Sequence, residues 1–189
     1  MTARMRGPHA PLARLALCAL LAALPAAADP QAFALRSSAF APGSGIPTRY
    51  TCEGADVSPP LAWDAPPEGT RSFALVVSDP DAPDPAAPKV TWVHWVVYDI
   101  PADARALDEG AGSGRLPAGA RGGHNDWKRE TWGGPCPPVG RHRYVFTLYA
   151  LDARLETLST PGRAGLEHAM QGHVLARAEL IGTYAKQGR

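Results

Sequence analysis

Three segments, 72–78, 92–100 and 143–151, dominate the hydrophobic pattern of the chain. They are rich in Val, Phe, Trp and Tyr and apolar on both alternating sets, which predicts strands in the middle of a sandwich with both faces covered. Shorter runs surround them. Residues 33–37 alternate, and Ala41-Pro42-Gly43-Ser44-Gly45 is turn chemistry leading into a strand expected around 48–52. Pro59 and Pro60 precede a short edge-like strand at 61–63, and Pro66-Pro67-Glu68-Gly69 makes another turn. From 101 to 132 the many Gly, Ala and Pro residues leave little regular pattern, so that stretch is expected to be mostly loop with short strands at most.

One helix is predicted. Pro161 suits a first helical position, and Leu166, Met170, His173 and Val174 fall on one helical face, which places the helix over 161–177. Residues 179–184 read as a closing strand. Runs of strands with a single helix predict an all-β sandwich with a helical addition and argue against a parallel βαβ fold.

The first 28 residues carry a different pattern. Arg4, Arg6 and Arg14 precede a short apolar run, and Ala26-Ala27-Ala28 offers a small-residue cleavage site, so 1–28 is expected to be a secretory signal peptide. The apolar run is about half of what a bilayer-spanning helix needs, so no integral membrane anchor is expected. The remaining 29–189 then forms a single exported domain, periplasmic or secreted.

Charge changes the picture by exclusion. The formal net charge of +1 becomes −2 once the three leader arginines are removed, which gives no support to nucleic acid or an anionic membrane surface as partner. Cysteine adds a constraint. With Cys18 in the leader, Cys52 and Cys136 remain, and in an oxidising compartment they are expected to pair; two buried thiols that never meet is the alternative.

Candidate chemistry sits at the ends of the apolar runs. Asp79 and Asp81 lie in the turn Asp-Pro-Asp-Ala-Pro, His94 shares an alternating set with Trp92 and Val96, and His142 and Tyr144 share one with Phe146 and Leu148. Each taken alone has a plain reading: the aspartates cap a turn, and a lone histidine in a strand is a hydrogen-bonded core residue. Together they describe a pocket with a few convergent polar groups. Gly133 and Gly134, in the run 133–140, permit close backbone approach and offer N–H groups to an anion, or else form a rigid surface turn.

The stretches SDPDAP, WVHWVVYDIP, GGPCPPVGRHRYVFTLYALD and MQGHVLARAELIGTY resemble the phosphatidylethanolamine-binding protein family, in its bacterial Raf-kinase-inhibitor-like branch. The resemblance runs from about Phe33 to Tyr184 and implies a Greek-key β-sandwich of antiparallel sheets with a small anion pocket at one end. On the matching positions it implies ligand-binding roles for Asp79, His94, His142 and Tyr144, with Pro137 and Pro138 as pocket wall. Asp81, in the same motif as Asp79, and Gly134 complete the predicted set. Cys136 stands where eukaryotic relatives usually have glycine, a departure at the wall itself.

The expected function is therefore capture of a small anionic or phosphorylated head group, with modulation of a protein partner in the manner of a kinase or protease inhibitor. No cofactor is implied, and the resemblance admits a homodimer. Imidazoles, a tyrosine hydroxyl and glycine amides can donate to an anion, so binding is expected to tighten as pH falls through the histidine range. The alternative is a hydrolase using His94 and His142 with Asp79 as acid and base. Against it, the sequence has no G-x-S-x-G motif. The spacing of these histidines and aspartates follows no zinc pattern, so no metal site is expected.

Overall fold

Continuous apolar runs become the centre of the larger sheet, because only there can both faces of a strand be buried. The computed structural model describes Met1, residues 32–156 and residues 158–187. The expected signal peptide thus lies outside the described residues apart from Met1. Among the described residues no helix is long and apolar enough to cross a membrane.

Among the described residues the strands are β1 (Ala34–Arg36), β2 (Leu61–Asp64), β3 (Ser72–Ala82), β4 (Val90–Pro101), β5 (Ala106–Leu107), β6 (Arg121–Gly123), β7 (His142–Leu151) and β8 (Val174–Tyr184), with one α-helix, α1 (Arg163–Ala169), between the last two. They form a three-stranded sheet ordered β1-β2-β5 and a five-stranded sheet ordered β6-β4-β3-β7-β8. All strand pairs within the sheets are antiparallel. This is the antiparallel, single-helix class that the pattern predicts.

The two alternating sets of β3 enter different cores. Phe73, Leu75 and Val77 join Trp95, Val97, Phe146 and Leu148 in the core that also takes Leu35, Leu61 and Trp63 from the smaller sheet. Ala74 and Val76 face the other way, against Leu151, Leu155, Leu166 and Met170 beneath α1. Side chains such as Phe73 and Leu75 are fully buried, and each buried aliphatic or aromatic group of this size stabilises the fold by about 1.5–3 kcal/mol.

Four local expectations are corrected. Residues 48–52 do not form a strand: Thr48–Tyr50 is a turn of 3₁₀ helix, entered from Pro47 and closed by the Thr51 hydroxyl donating to Thr48 O at 2.9 Å. Local side-chain bonding of this kind overrides weak alternation. The strand at 61–63 is no edge, because β2 lies between β1 and β5. The helix covers Arg163–Ala169 rather than 161–177. Gly172, at φ +80°, turns the chain, and Val174 pairs with Leu151 to begin β8, so the closing strand starts five residues earlier than expected.

Candidate functional site

The odd set of β3 that supplies Phe73, Leu75 and Val77 to the core continues to Asp79, so the carboxylate emerges at the end of the buried face. On the neighbouring strand the set Leu148, Phe146, Tyr144 leads to His142 by the same rule. These two polar ends meet. His142 Nδ1 is 2.7 Å from Asp79 Oδ2, and its Nε2 is 2.9 Å from Val139 O. Both partners are acceptors, so the two contacts are made together as hydrogen bonds only by a ring carrying two N–H groups. The other Asp79 oxygen accepts the Asp81 N–H at 2.8 Å.

His94 arrives by a different device. Val77 pairs with Trp95 but Ser78 pairs with Val93, so His94 is the additional residue of a β-bulge. The expectation that His94 shares a set with Val96 is thereby corrected: Val96 packs beneath α1, whereas the His94 ring stands edge-on to Tyr144 with centroids 5.1 Å apart. The bulge re-aims the side chain towards the site. A flat strand would have pointed it elsewhere.

A loop then fastens His94. Its Nδ1 donates to Gly133 O at 2.6 Å, which leaves Nε2 as the acceptor of the neutral ring. Burial pushes its pKa below the ordinary value of 6.5, and this outweighs the Gly133 bond and the fields of Asp79, Asp126 and Asp56, which favour the charged form. Asn125, buried, donates to His94 O and Thr131 O and accepts from the N–H groups of Trp127 and Arg129. Asp126 accepts the Val93 N–H at 2.7 Å. Trp127 is thus held edge-on against His94 at 5.1 Å and against Trp92 at 5.3 Å. Gly133 is required here, since a Cβ would lie 2.6 Å from the Trp127 ring.

These elements enclose a cavity of about 300 Å³. Of the predicted residues, Asp79, His94, Pro137, His142 and Tyr144 line it, joined by Ala82, Pro83, Trp92, Trp127, Cys136 and Pro138. Asp81 and Gly134 are outside this lining. Asp81 is bound by the N–H, Nε and Nη2 of Arg143 at 2.8, 2.9 and 2.6 Å, and the guanidinium holds its carboxyl below the usual carboxylate range. The Gly134 N–H donates to Asp56 Oδ1 at 2.7 Å, and a Cβ on Gly134 would meet that oxygen at 2.4 Å.

Two donors of the lining stand out. The Tyr144 hydroxyl and the Trp92 indole N–H are buried and make no hydrogen bond of full geometry, although Asp79 and the Cys136 backbone lie close enough to the hydroxyl to act on it as weak partners. Trp63, Trp95 and Trp132 share that condition in the core, so the Tyr144 hydroxyl is the more telling of the two. Burial, followed by the nearby Asp79 charge, pushes its pKa strongly up, so it stays a donor. The wall is closed by the Cys52–Cys136 disulfide, with Cα atoms 5.5 Å apart. Among the described residues no group of three or more His, Cys, Asp and Glu side chains is placed to hold a metal ion.

Sequence reasoning missed Asn125 and Trp127. The only available signal was an Asn-Asp-Trp turn within a glycine-rich stretch, with a large aromatic where a loop would be polar.

This sandwich is the fold of a known family of binding proteins. A sequence model described as phosphatidylethanolamine-binding protein matches residues 36–185, and the chain belongs to that family. A UPF0098 protein of Methanothermobacter thermautotrophicus is 46% identical over 153 residues, covering 80% of this chain and 98% of its own. Among solved structures, the phosphatidylethanolamine-binding protein homologue CT736 of Chlamydia trachomatis superposes with a TM-score of 0.75 at 38% identity, over 82% of this chain and 99% of its own. Escherichia coli YbcL, described as a member of the mammalian family, gives 0.74 at 34% identity with the same coverage.

Proposed function

We propose that the protein is an exported binding protein, periplasmic or secreted, whose cavity takes a small anionic or phosphorylated head group and which acts on a protein partner. The observation that carries this reading is the Tyr144 hydroxyl, a buried donor with no hydrogen bond of full geometry, beside Asp79 at a cavity that His94 also lines. A ligand rich in acceptor oxygens would satisfy it, and a protonated His94 would add a second donor from Nε2. Asp79 does not oppose such a ligand with a bare charge, because His142 is bonded to it. The family description names a phospholipid with a phosphorylated head group, which supports the same chemistry.

The hydrolase reading has less support. Both ring nitrogens of His142 are committed to Asp79 and Val139, which withdraws that ring from acid and base work.

Calorimetric titration of the purified protein with phosphate, phosphoethanolamine and acetate, beside Tyr144→Phe, tests the proposal. Saturable binding by the native protein, weakened about tenfold or more in a variant that unfolds no earlier, is expected. Failure of all three ligands to saturate would sink it.

A further inference from the structure

The Pro137–Pro138 wall also borders a larger depression that the cavity chemistry does not use. It measures about 800 Å³, and its lining includes Glu53, Pro137, Pro138, Gly140, Lys186 and Gln187. A second depression of about 350 Å³ shares Lys186 and Gln187 with it and adds Arg141, Thr48 and Thr183. The two therefore adjoin as one groove along the 184–187 segment, and the larger shares Cys136, Pro137 and Pro138 with the candidate cavity but none of its histidines.

The groove has a defined floor. Glu53 Oε2 accepts from the Tyr184 hydroxyl and from the Gln187 N–H at 2.9 Å, so this carboxylate fixes the segment that carries Lys186. These bonds fix the carboxylate in place at that end of the groove. Arg141 and Lys186 are exposed, and neither takes part in any of the ion pairs among the described residues. Both cations line the smaller depression, while Lys186 also borders the larger one, whose wall of Pro137 and Pro138 is apolar, with Val139 54% exposed next to it. The surface is thus cationic in the smaller depression and apolar along the proline wall of the larger.

We infer that this groove docks an extended acidic peptide segment of a protein partner, with carboxylates towards Lys186 and Arg141 and an apolar side chain over the Pro137–Pro138 wall. Charge complementarity selects the acidic chain, and an apolar wall beside the cations favours a polymer over a single compact anion. A pair of prolines also suits a docking wall, because it loses little freedom when a chain settles on it. The inference specifies the partner left open above and does not require the cavity to be filled.

The test uses a fluorescein-labelled peptide of sequence Glu-Leu-Glu-Glu-Leu-Glu and a control with every Glu replaced by Lys. Anisotropy titrations would be run on the native protein, on Arg141→Glu/Lys186→Glu and on Tyr144→Phe. The acidic peptide is expected to saturate the native protein, to weaken with added salt, and to bind the charge-reversed variant about tenfold or more weakly. Tyr144→Phe should leave it unchanged, and the charge-reversed variant should keep its phosphoethanolamine response. Because both reversed side chains are exposed, the variant's fold is not at risk, and a matching unfolding curve confirms it. Equal binding of both peptides, no saturation, or indifference to charge reversal would each overturn the docking surface while leaving the head-group reading to its own titration.

Discussion

The two histidines of the site flank the same strand and are held in opposite ways. On the β7 side, His142 is fully buried and closed on itself, with one nitrogen on Asp79 and the other on Val139 O. On the β4 side, His94 is turned inward by a bulge and tied at one nitrogen only, to a carbonyl of a loop that Asn125 organises. His142 is scaffold, satisfied before any ligand arrives. His94 keeps an unspent acceptor in its ring, so of the two histidines it is the one that should respond to a ligand.

The largest perturbation should reach both sides at once. The segment 133–140 supplies Gly133 O to His94 and Val139 O to His142, and the Cys52–Cys136 disulfide ties it across a separation of 84 residues. Replacing both cysteines by serine should cost about 4 kcal/mol in the chain-entropy account. Denaturant unfolding would measure it, with head-group titration alongside. An unmoved midpoint would mean that the covalent tie adds nothing to the hydrogen bonds of the segment.

A change confined to the β7 side should be nearly as severe. His142→Leu leaves the Asp79 carboxylate buried without its imidazole partner, a loss of about 3 kcal/mol. Adding Asp79→Leu should recover much of that, since an apolar pair asks for no compensation. If the double variant were as unstable as the single one, stability would not depend on the pairing.

The difference between the two sides also separates what was legible in the sequence from what was not. Asp79, His142 and Tyr144 end uninterrupted alternating runs, so period-two reasoning assigns them to one face, and they are found together at the cavity. His94 obeys no such rule, because a bulge is one unpaired residue and leaves no periodic trace. Asn125 and Trp127 sit in a glycine-rich stretch whose conformation is set by side-chain to backbone bonds, again invisible to periodicity. The same physics explains the misplaced strand at 48–52, where a threonine hydroxyl closes a turn, and the shortened helix, where β7 offered a ladder partner that a local pattern could not anticipate. Asp81 and Gly134 show the converse: their motifs are plain in sequence, yet Arg143 and Asp56 already occupy them.

A change confined to the β4 side should cost less. Asn125→Ala removes four hydrogen bonds that link His94 O, Thr131 O and the N–H groups of Trp127 and Arg129, for a loss of about 2 kcal/mol. Trp127 should then leave His94 and become more solvated, a change read as a red-shifted tryptophan emission, whereas His142→Leu should leave that loop as it is. A variant with native emission would show that packing alone holds Trp127.

The gentlest perturbation alters no atom of the chain and acts through His94. Burial holds its folded pKa below the ordinary 6.5, so between those two values the unfolded chain binds more protons than the native one. The contribution of the neutral ring is therefore intact above about pH 6.5 and is lost as pH falls towards the lower folded value. An anion in the cavity reverses the sign, because only protonated His94 can donate from Nε2, so affinity should rise over the same window in which the empty protein weakens. Sulfate is the suitable probe, since its own charge stays constant there. Urea midpoints and sulfate titrations from about pH 7.5 to about pH 5.5 should run in opposite directions, and His94→Asn should abolish the rise in sulfate affinity. Asp81 stays out of this window, because Arg143 keeps its carboxyl ionised until well below it. Two curves falling together would place the proton uptake away from the ligand and return His94 to a purely structural role.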